Sequence, residues 1–209
     1  QGIVLLKNDG NILPINPDKA KKVLVVGENA IKMMTVGGGS SSLKVKHELS
    51  PFDGIKNRLA GKSVVIYERG YASNSGDTFD GVSTGQNLKE ERSAEELINA
   101  ATEAAKNADY VIYIGGLNKD AHQDCEDADR ETLGLPYNQD KVIEALAKAN
   151  KNFVVVNISG TAVSMPWVKQ VPAIVQAWYL GSEAGNALAA VLTGDVNPSG
   201  KLPFTFPAK

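Results

Sequence analysis

The 209 residues contain one cysteine, Cys125, which excludes an internal disulfide and any metal site built from several thiolates. No apolar run approaches the roughly 18 residues of a membrane-spanning helix, so the pattern gives no reason to expect a membrane partner. Charge of one sign is also missing: 22 basic and 24 acidic residues leave a formal charge of −2. That balance lacks the basic excess a nucleic-acid partner would require, and a small neutral substrate suits it better. The chain opens Gln1-Gly2-Ile3-Val4 with neither an initiator Met nor the basic and then apolar pattern of a signal peptide. Near the other end, residues 202–206 read as a short strand closed by Pro207. Both ends are expected to be cuts within a longer protein.

Several catalytic and binding signatures are absent as well. No Gly-x-Gly-x-x-Gly opens a helix directly after a strand, no Lys-Ser/Thr follows a glycine run as in a P-loop, and there is no Gly-x-Ser-x-Gly elbow. His122, Asp124, Cys125 and Glu126 carry ligand-type side chains, but their spacing matches neither structural zinc nor a calcium loop. No metal and no cofactor is expected. Internal repeats and low-complexity tracts are missing too.

What is present is a hydrophobic fraction of 43% with 20 glycines, enough in a chain of this length for one well-buried core. Short β-branched runs alternate with longer amphipathic stretches, the pattern of βαβ units around a mostly parallel sheet. Strands are predicted over 23–26, 63–67, 110–114, 153–158, 173–177 and 202–206. The continuous runs Val-Leu-Val-Val and Phe-Val-Val-Val-Asn-Ile imply burial on both faces. Helices are predicted over 51–59, 93–106, 137–149 and 183–192. Ser50 before Pro51 suits an N-cap with Pro at the first position, and Ser93 with Glu96 suits a capping box. The expected fold is therefore α/β: a three-layer αβα sandwich around a six-stranded, mostly parallel sheet, with residues 1–209 as a single domain. Loops after the strands would line one sheet edge, where such folds build their sites.

Two segments break the alternation. Residues 71–86, rich in Gly, Ser, Asn and Asp, read as a long surface loop. The connection 115–136 runs about 20 residues without periodicity, and loops that long are usually functional or disordered. It is crowded with carboxylates, among them Asp120, Asp124, Glu126, Asp127 and Asp129. Such proximity can raise one carboxyl pKa into the range of a general acid, although a solvated acidic loop has the same composition. The run Gly37-Gly38-Gly39-Ser40-Ser41-Ser42 offers close backbone approach and hydroxyls to a sugar or a phosphate, or is simply a tight turn. Trp167 and Trp178 flank strands and are expected to pack in the core. Asn157-Ile158-Ser159 matches a glycosylation sequon, but at the end of a buried strand it is discounted.

Seven segments in order resemble the carboxy-terminal domain of family 3 glycoside hydrolases. They are Ile3 through Pro14, the glycine-serine run, Glu126-Asp127-Ala128-Asp129-Arg130, Leu135-Pro136-Tyr137-Asn138-Gln139, Met165-Pro166-Trp167, Ala177 through Gly185, and Gly194 through Pro203. The resemblance implies a sandwich packed against an amino-terminal TIM-like barrel that is absent from this chain. It also implies a retaining β-glycosidase acting on a β-linked glucoside or xyloside. The barrel would supply the nucleophile and the sandwich the acid/base, by position Glu126, with Asp124 and Asp120 as fallbacks. Where the family usually has Gly after this Glu, the present chain has Asp127. Ser40 and Ser41 are carried over as substrate contacts at the rim of the sugar site, His122 as one lining the leaving-group side, and Asp129 and Arg130 as residues that brace the loop. The resemblance favours a periplasmic or secreted location and makes the isolated domain inactive. Two other readings stay open: a non-catalytic scaffold of the same enzymes, and a phosphate-binding α/β module using residues 37–42.

Overall fold

The computed structural model describes residues 2–35, 40, 45–74, 84–126 and 128–207. Six strands form one sheet: β1 (Val4–Asn8), β2 (Lys22–Val26), β3 (Val64–Glu68), β4 (Tyr110–Gly116), β5 (Phe153–Ile158) and β6 (Ala173–Gln176). Their order across the sheet is β1-β6-β5-β4-β2-β3. All pairs are parallel except β1 with β6. Four helices accompany them: α1 (Pro51–Arg58), α2 (Ala94–Lys106), α3 (Gln139–Ala149) and α4 (Ala184–Leu192).

The period-2 geometry of strands sorts the apolar runs into two cores. Val23 and Val25 of β2 face Ile55 of α1, Leu59 at its carboxyl cap, and Leu188 and Ala189 of α4. Leu24 and Val26 face the opposite way, with Ala101 and Ala105 of α2 and Val142, Ile143 and Leu146 of α3. This is the expected three-layer arrangement, and β2, β4 and β5 are buried on both faces as their continuous apolar runs require. The helix starts also match their sequence signals. The Ser50 side chain accepts from the Asp53 N–H ahead of Pro51, and Ser93 and Glu96 form a reciprocal capping box.

The sixth strand is not the expected one. Residues 202–206 form no strand, because Pro203 and Pro207 remove ladder donors on either side. The segment is held by side chains instead: Phe204 stacks on Phe206 at 5.8 Å, and both meet Trp178 edge-on. The sheet takes Val4–Asn8 as its edge, antiparallel to β6 and bulged between Leu5 and Lys7. Its mixed pattern, buried only at Val4, is that of an edge strand. Trp178 is accordingly half-buried at the surface, whereas Trp167 is fully buried and donates to Asp140 Oδ1 at 2.7 Å. Asn157 is buried and hydrogen-bonded to Ser159 and Gln176. The segment read as a surface loop begins in the core, since Tyr71 is buried and stacks on Tyr137; residues 75–83 lie outside the described set.

Helices α1 and α4 cross at two glycines. A Cβ on Gly54 would lie 2.1 Å from the Gly185 carbonyl carbon, and one on Gly185 would lie 2.2 Å from the Ser50 carbonyl oxygen. Backbone cannot yield as a side-chain tip can, so Gly54→Ala is expected to destabilise the domain by about 2 kcal/mol through overpacking. Alanine's intrinsic helix advantage of about 1 kcal/mol points the other way and is outweighed. Urea unfolding should show a lower midpoint at unchanged slope.

Candidate active site at the carboxyl edge of the sheet

From β2 the chain crosses to β3 on one side, then returns past β2 to β4 and continues outward through β5 and β6. The loops after β2 and β4 therefore part company between these two neighbours, and a crevice opens at their carboxyl ends. Gly27 begins the first of these loops at φ +120°, where a Cβ would lie 2.0 Å from the Ile114 carbonyl oxygen. Only glycine lets β2 end this close to β4.

The crevice floor is charged. Glu28 is fully buried and accepts from Arg69 Nη2 and from the Ser73 N–H, both at 2.8 Å. One turn on, Lys32 is buried and reaches Asp120 Oδ1 and Oδ2 at 3.0 and 3.2 Å. The Tyr137 hydroxyl donates to Asp120 Oδ2 at 3.2 Å, and burial together with this carboxylate pushes the hydroxyl's pKa up, so it stays a donor. Gln139, at the start of α3, fastens the end of β4: its Oε1 accepts from the Gly116 N–H and its Nε2 donates to the Gly116 carbonyl, at 2.8 and 2.7 Å.

These contacts stake out the acidic connection after β4. Asp120 is buried against Lys32, and Asp124 accepts from Gly160 N at 2.6 Å and from Thr161 Oγ1 and Tyr179 OH at 3.0 Å each. Glu126 is exposed, and its carboxylate accepts from the Ser40 N–H. Ser40 and the acidic loop are thus brought together from 86 residues apart. Of the glycine-serine run only Ser40 is described; Ser41 and the other residues of 37–42 lie outside the described set. The polypeptide leading to it is anchored by Glu48, whose carboxylate accepts from the N–H groups of Met34 and Thr35 at 2.7 and 3.2 Å.

Crowding of carboxylates predicts a raised pKa in this loop. At Glu126 the reverse holds: the side chain and then the N–H of Ser40 hold the carboxyl below its usual range. His122, also exposed, has Nδ1 3.3 Å from the Asp129 carbonyl oxygen. It lines a groove with Arg130, Glu131 and Thr132 that Glu126 does not line. Arg130 braces the loop as expected, donating from Nη2 to the Ala162 carbonyl at 2.7 Å. The four ligand-type side chains at 122–126 face different partners, with Cys125 Sγ directed to the Ala128 carbonyl oxygen.

Residues 3–209 match the family model described as "Glycosyl hydrolase family 3 C-terminal domain". The chain belongs to this family. A family 3 beta-glucosidase of Bacteroides ovatus, BoGH3A, is 49% identical over 214 residues, all of this chain and 28% of the relative. The thermostable beta-glucosidase B of Acetivibrio thermocellus is 35% identical over all of this chain and 25% of its own length. The crystal structure of a Bifidobacterium adolescentis family 3 beta-glucosidase superposes with a TM-score of 0.79 at 37% identity, covering 99% of this chain and 27% of that one. This family 3 domain therefore spans about a quarter of the length of these relatives.

Glu28, Arg69, Lys32 and Tyr179 were not singled out as individual residues by the sequence. Glu28 and Lys32 stand four apart just after a strand, and nothing local shows that Asp120 and Arg69 come to meet them. Replacing Lys32 by Met leaves Asp120 buried without its cation. The variant is expected to lose about 3 kcal/mol of unfolding free energy, as for other broken buried pairs, measurable by chemical denaturation.

Proposed function

We propose that this domain forms one side of the active site of a retaining β-glycosidase, a β-glucosidase in the first instance, and contributes Glu126 as its acid/base. The nucleophilic carboxylate would come from the amino-terminal barrel of the same protein, about 5 to 5.5 Å away, as a double displacement requires. Ser40 and Ser41 are proposed as contacts at the rim of a terminal β-linked glucoside or xyloside, and His122 as one lining its leaving-group side. The observation that carries the proposal is the division of labour among three carboxylates. Asp120 and Asp124 are each held by several donors and are buried or half-buried, while Glu126, which accepts from the Ser40 N–H, is the one of the three that stands exposed.

In the first step the nucleophile attacks the anomeric carbon as its bond to the glycosidic oxygen breaks, and Glu126 gives that oxygen its proton. In the second step the Glu126 carboxylate takes a proton from water as the water oxygen attacks the same carbon, whose bond to the nucleophile's oxygen breaks and releases that carboxylate. A donor must be protonated, yet in the domain by itself Ser40 holds the Glu126 carboxyl down. A second carboxylate and a desolvating surface from the barrel both act to raise it. Activity of the isolated domain is therefore expected to be nil.

That same depressed pKa also favours a second reading, a scaffold domain whose enzyme takes its acid/base from elsewhere. Glu126→Ala in the full-length enzyme separates the two. The acid/base reading expects turnover of alkyl β-glucosides to fall about 10²- to 10⁴-fold. The alkaline limb of the pH profile should disappear, and azide should restore turnover of an activated aryl glucoside. An unchanged rate selects the scaffold. Turnover by the isolated domain would contradict the division between domains.

A further inference from the structure

The loop after β4 is fastened at several points, but one fastening stands two residues from Glu126 and joins the loops after β4, β5 and β6. Asp124 Oδ2 accepts from the Gly160 N–H after β5 at 2.6 Å and from the Tyr179 hydroxyl after β6 at 3.0 Å. Its Oδ1 accepts from Thr161 Oγ1 at 3.0 Å. The Asp124 N–H turns back to the Asn118 carbonyl at 3.1 Å, so residues 118–124 close on themselves before the chain reaches Glu126.

The anchor is itself supported. The Tyr179 hydroxyl lies 3.3 Å from the Asn118 carbonyl oxygen, and the Lys119 ammonium sits 3.9 Å from the centre of its ring. The lysine thus covers the aromatic face. Burial, and then the Asp124 carboxylate, push the Tyr179 hydroxyl well above its ordinary pKa, which keeps its proton available for donation. Donors on both carboxylate oxygens give charge-assisted contacts of defined geometry.

We propose that Asp124 is a positioning residue for Glu126: docked on Gly160, Thr161 and Tyr179, it fixes the acidic loop two residues before Glu126 and hence where the acid/base carboxyl stands. The proposal rests on the reading of Glu126 as acid/base. It assigns Asp124, otherwise a candidate proton donor, to a different task. A neutral amide in its place keeps the volume but turns one acceptor into a donor that faces other donors. This part of the loop then loses its register against the loops after β5 and β6. Tyr179→Phe removes one hydroxyl and keeps the ring under Lys119.

The test compares Asp124→Asn, Tyr179→Phe and Glu126→Ala in the full-length enzyme, assayed on alkyl and activated aryl β-glucosides with and without azide. Misplacement of a catalytic group by about 1 Å costs about 100-fold. Asp124→Asn is accordingly expected to lower kcat about 10- to 100-fold, with KM within about twofold, and Tyr179→Phe to lower kcat several-fold. Both should keep the alkaline limb of the pH profile, because Glu126 still titrates, and neither should respond to azide. Should Asp124→Asn fail to fold, Tyr179→Phe carries the same comparison. Azide rescue of Asp124→Asn with loss of the alkaline limb would make Asp124 the acid and overturn the proposal. Loss of activity in Glu126→Ala beside unchanged kcat in the other two would overturn the positioning role alone. Full activity in Glu126→Ala would overturn the acid/base reading and the positioning proposal with it.

Discussion

Parallel strands joined by right-handed crossovers can place their helices on both faces only if the chain reverses its direction across the sheet. Here the reversal falls between β2 and β4, after the chain has gone out to β3 and come back. Everything that distinguishes the carboxyl edge follows from it. The first crossover puts α1 on one face, later joined by α4, and the return puts α2 and α3 on the other. The loops after β2 and β4 are turned apart, and the gap between them is where polar groups gather without interrupting a ladder.

Those polar groups are costly to bury. Glu28, Lys32, Arg69 and Asp120 have each left water, and the Coulomb return covers desolvation only when geometry and hydrogen bonding are near complete. Contacts from Ser73 to Glu28, from Tyr137 to Asp120 and from Arg69 to the Leu88 carbonyl supply part of that completion. A purely apolar filling would stabilise as well. What the polar filling adds is directional fastening of a long irregular loop, a segment that has no ladder of its own to hold it.

Much of the fold was legible because burial writes itself into local patterns. The runs at 23–26, 110–114 and 153–158 announce strands covered on both faces, and Ser50-Pro51 and Ser93 with Glu96 announce helix starts. The edge of the sheet was not legible. Val4–Asn8 is an edge strand with one buried residue, so it lacks the burial pattern that strand prediction depends on. Residues 202–206 have the β-rich composition of a strand, but their flanking prolines deny them its hydrogen bonds. Of the two tryptophans beside strands, only the packing of Phe204 and Phe206 shows that Trp178 belongs to the surface.

By itself the sequence determined the α/β class, the single acidic loop after a buried strand and membership of the glycoside hydrolase family 3 carboxy-terminal domains. Residue type and order are sufficient for these. Tertiary structure decided which carboxylates of that loop are taken into the domain and which one stays at its surface. Asp120 meets Lys32 from 88 residues away and Asp124 meets Tyr179 from 55, while Glu126 is left exposed beside Ser40. A side chain's hydrogen-bond partners depend on where the crossovers bring distant loops, and no local spacing encodes that.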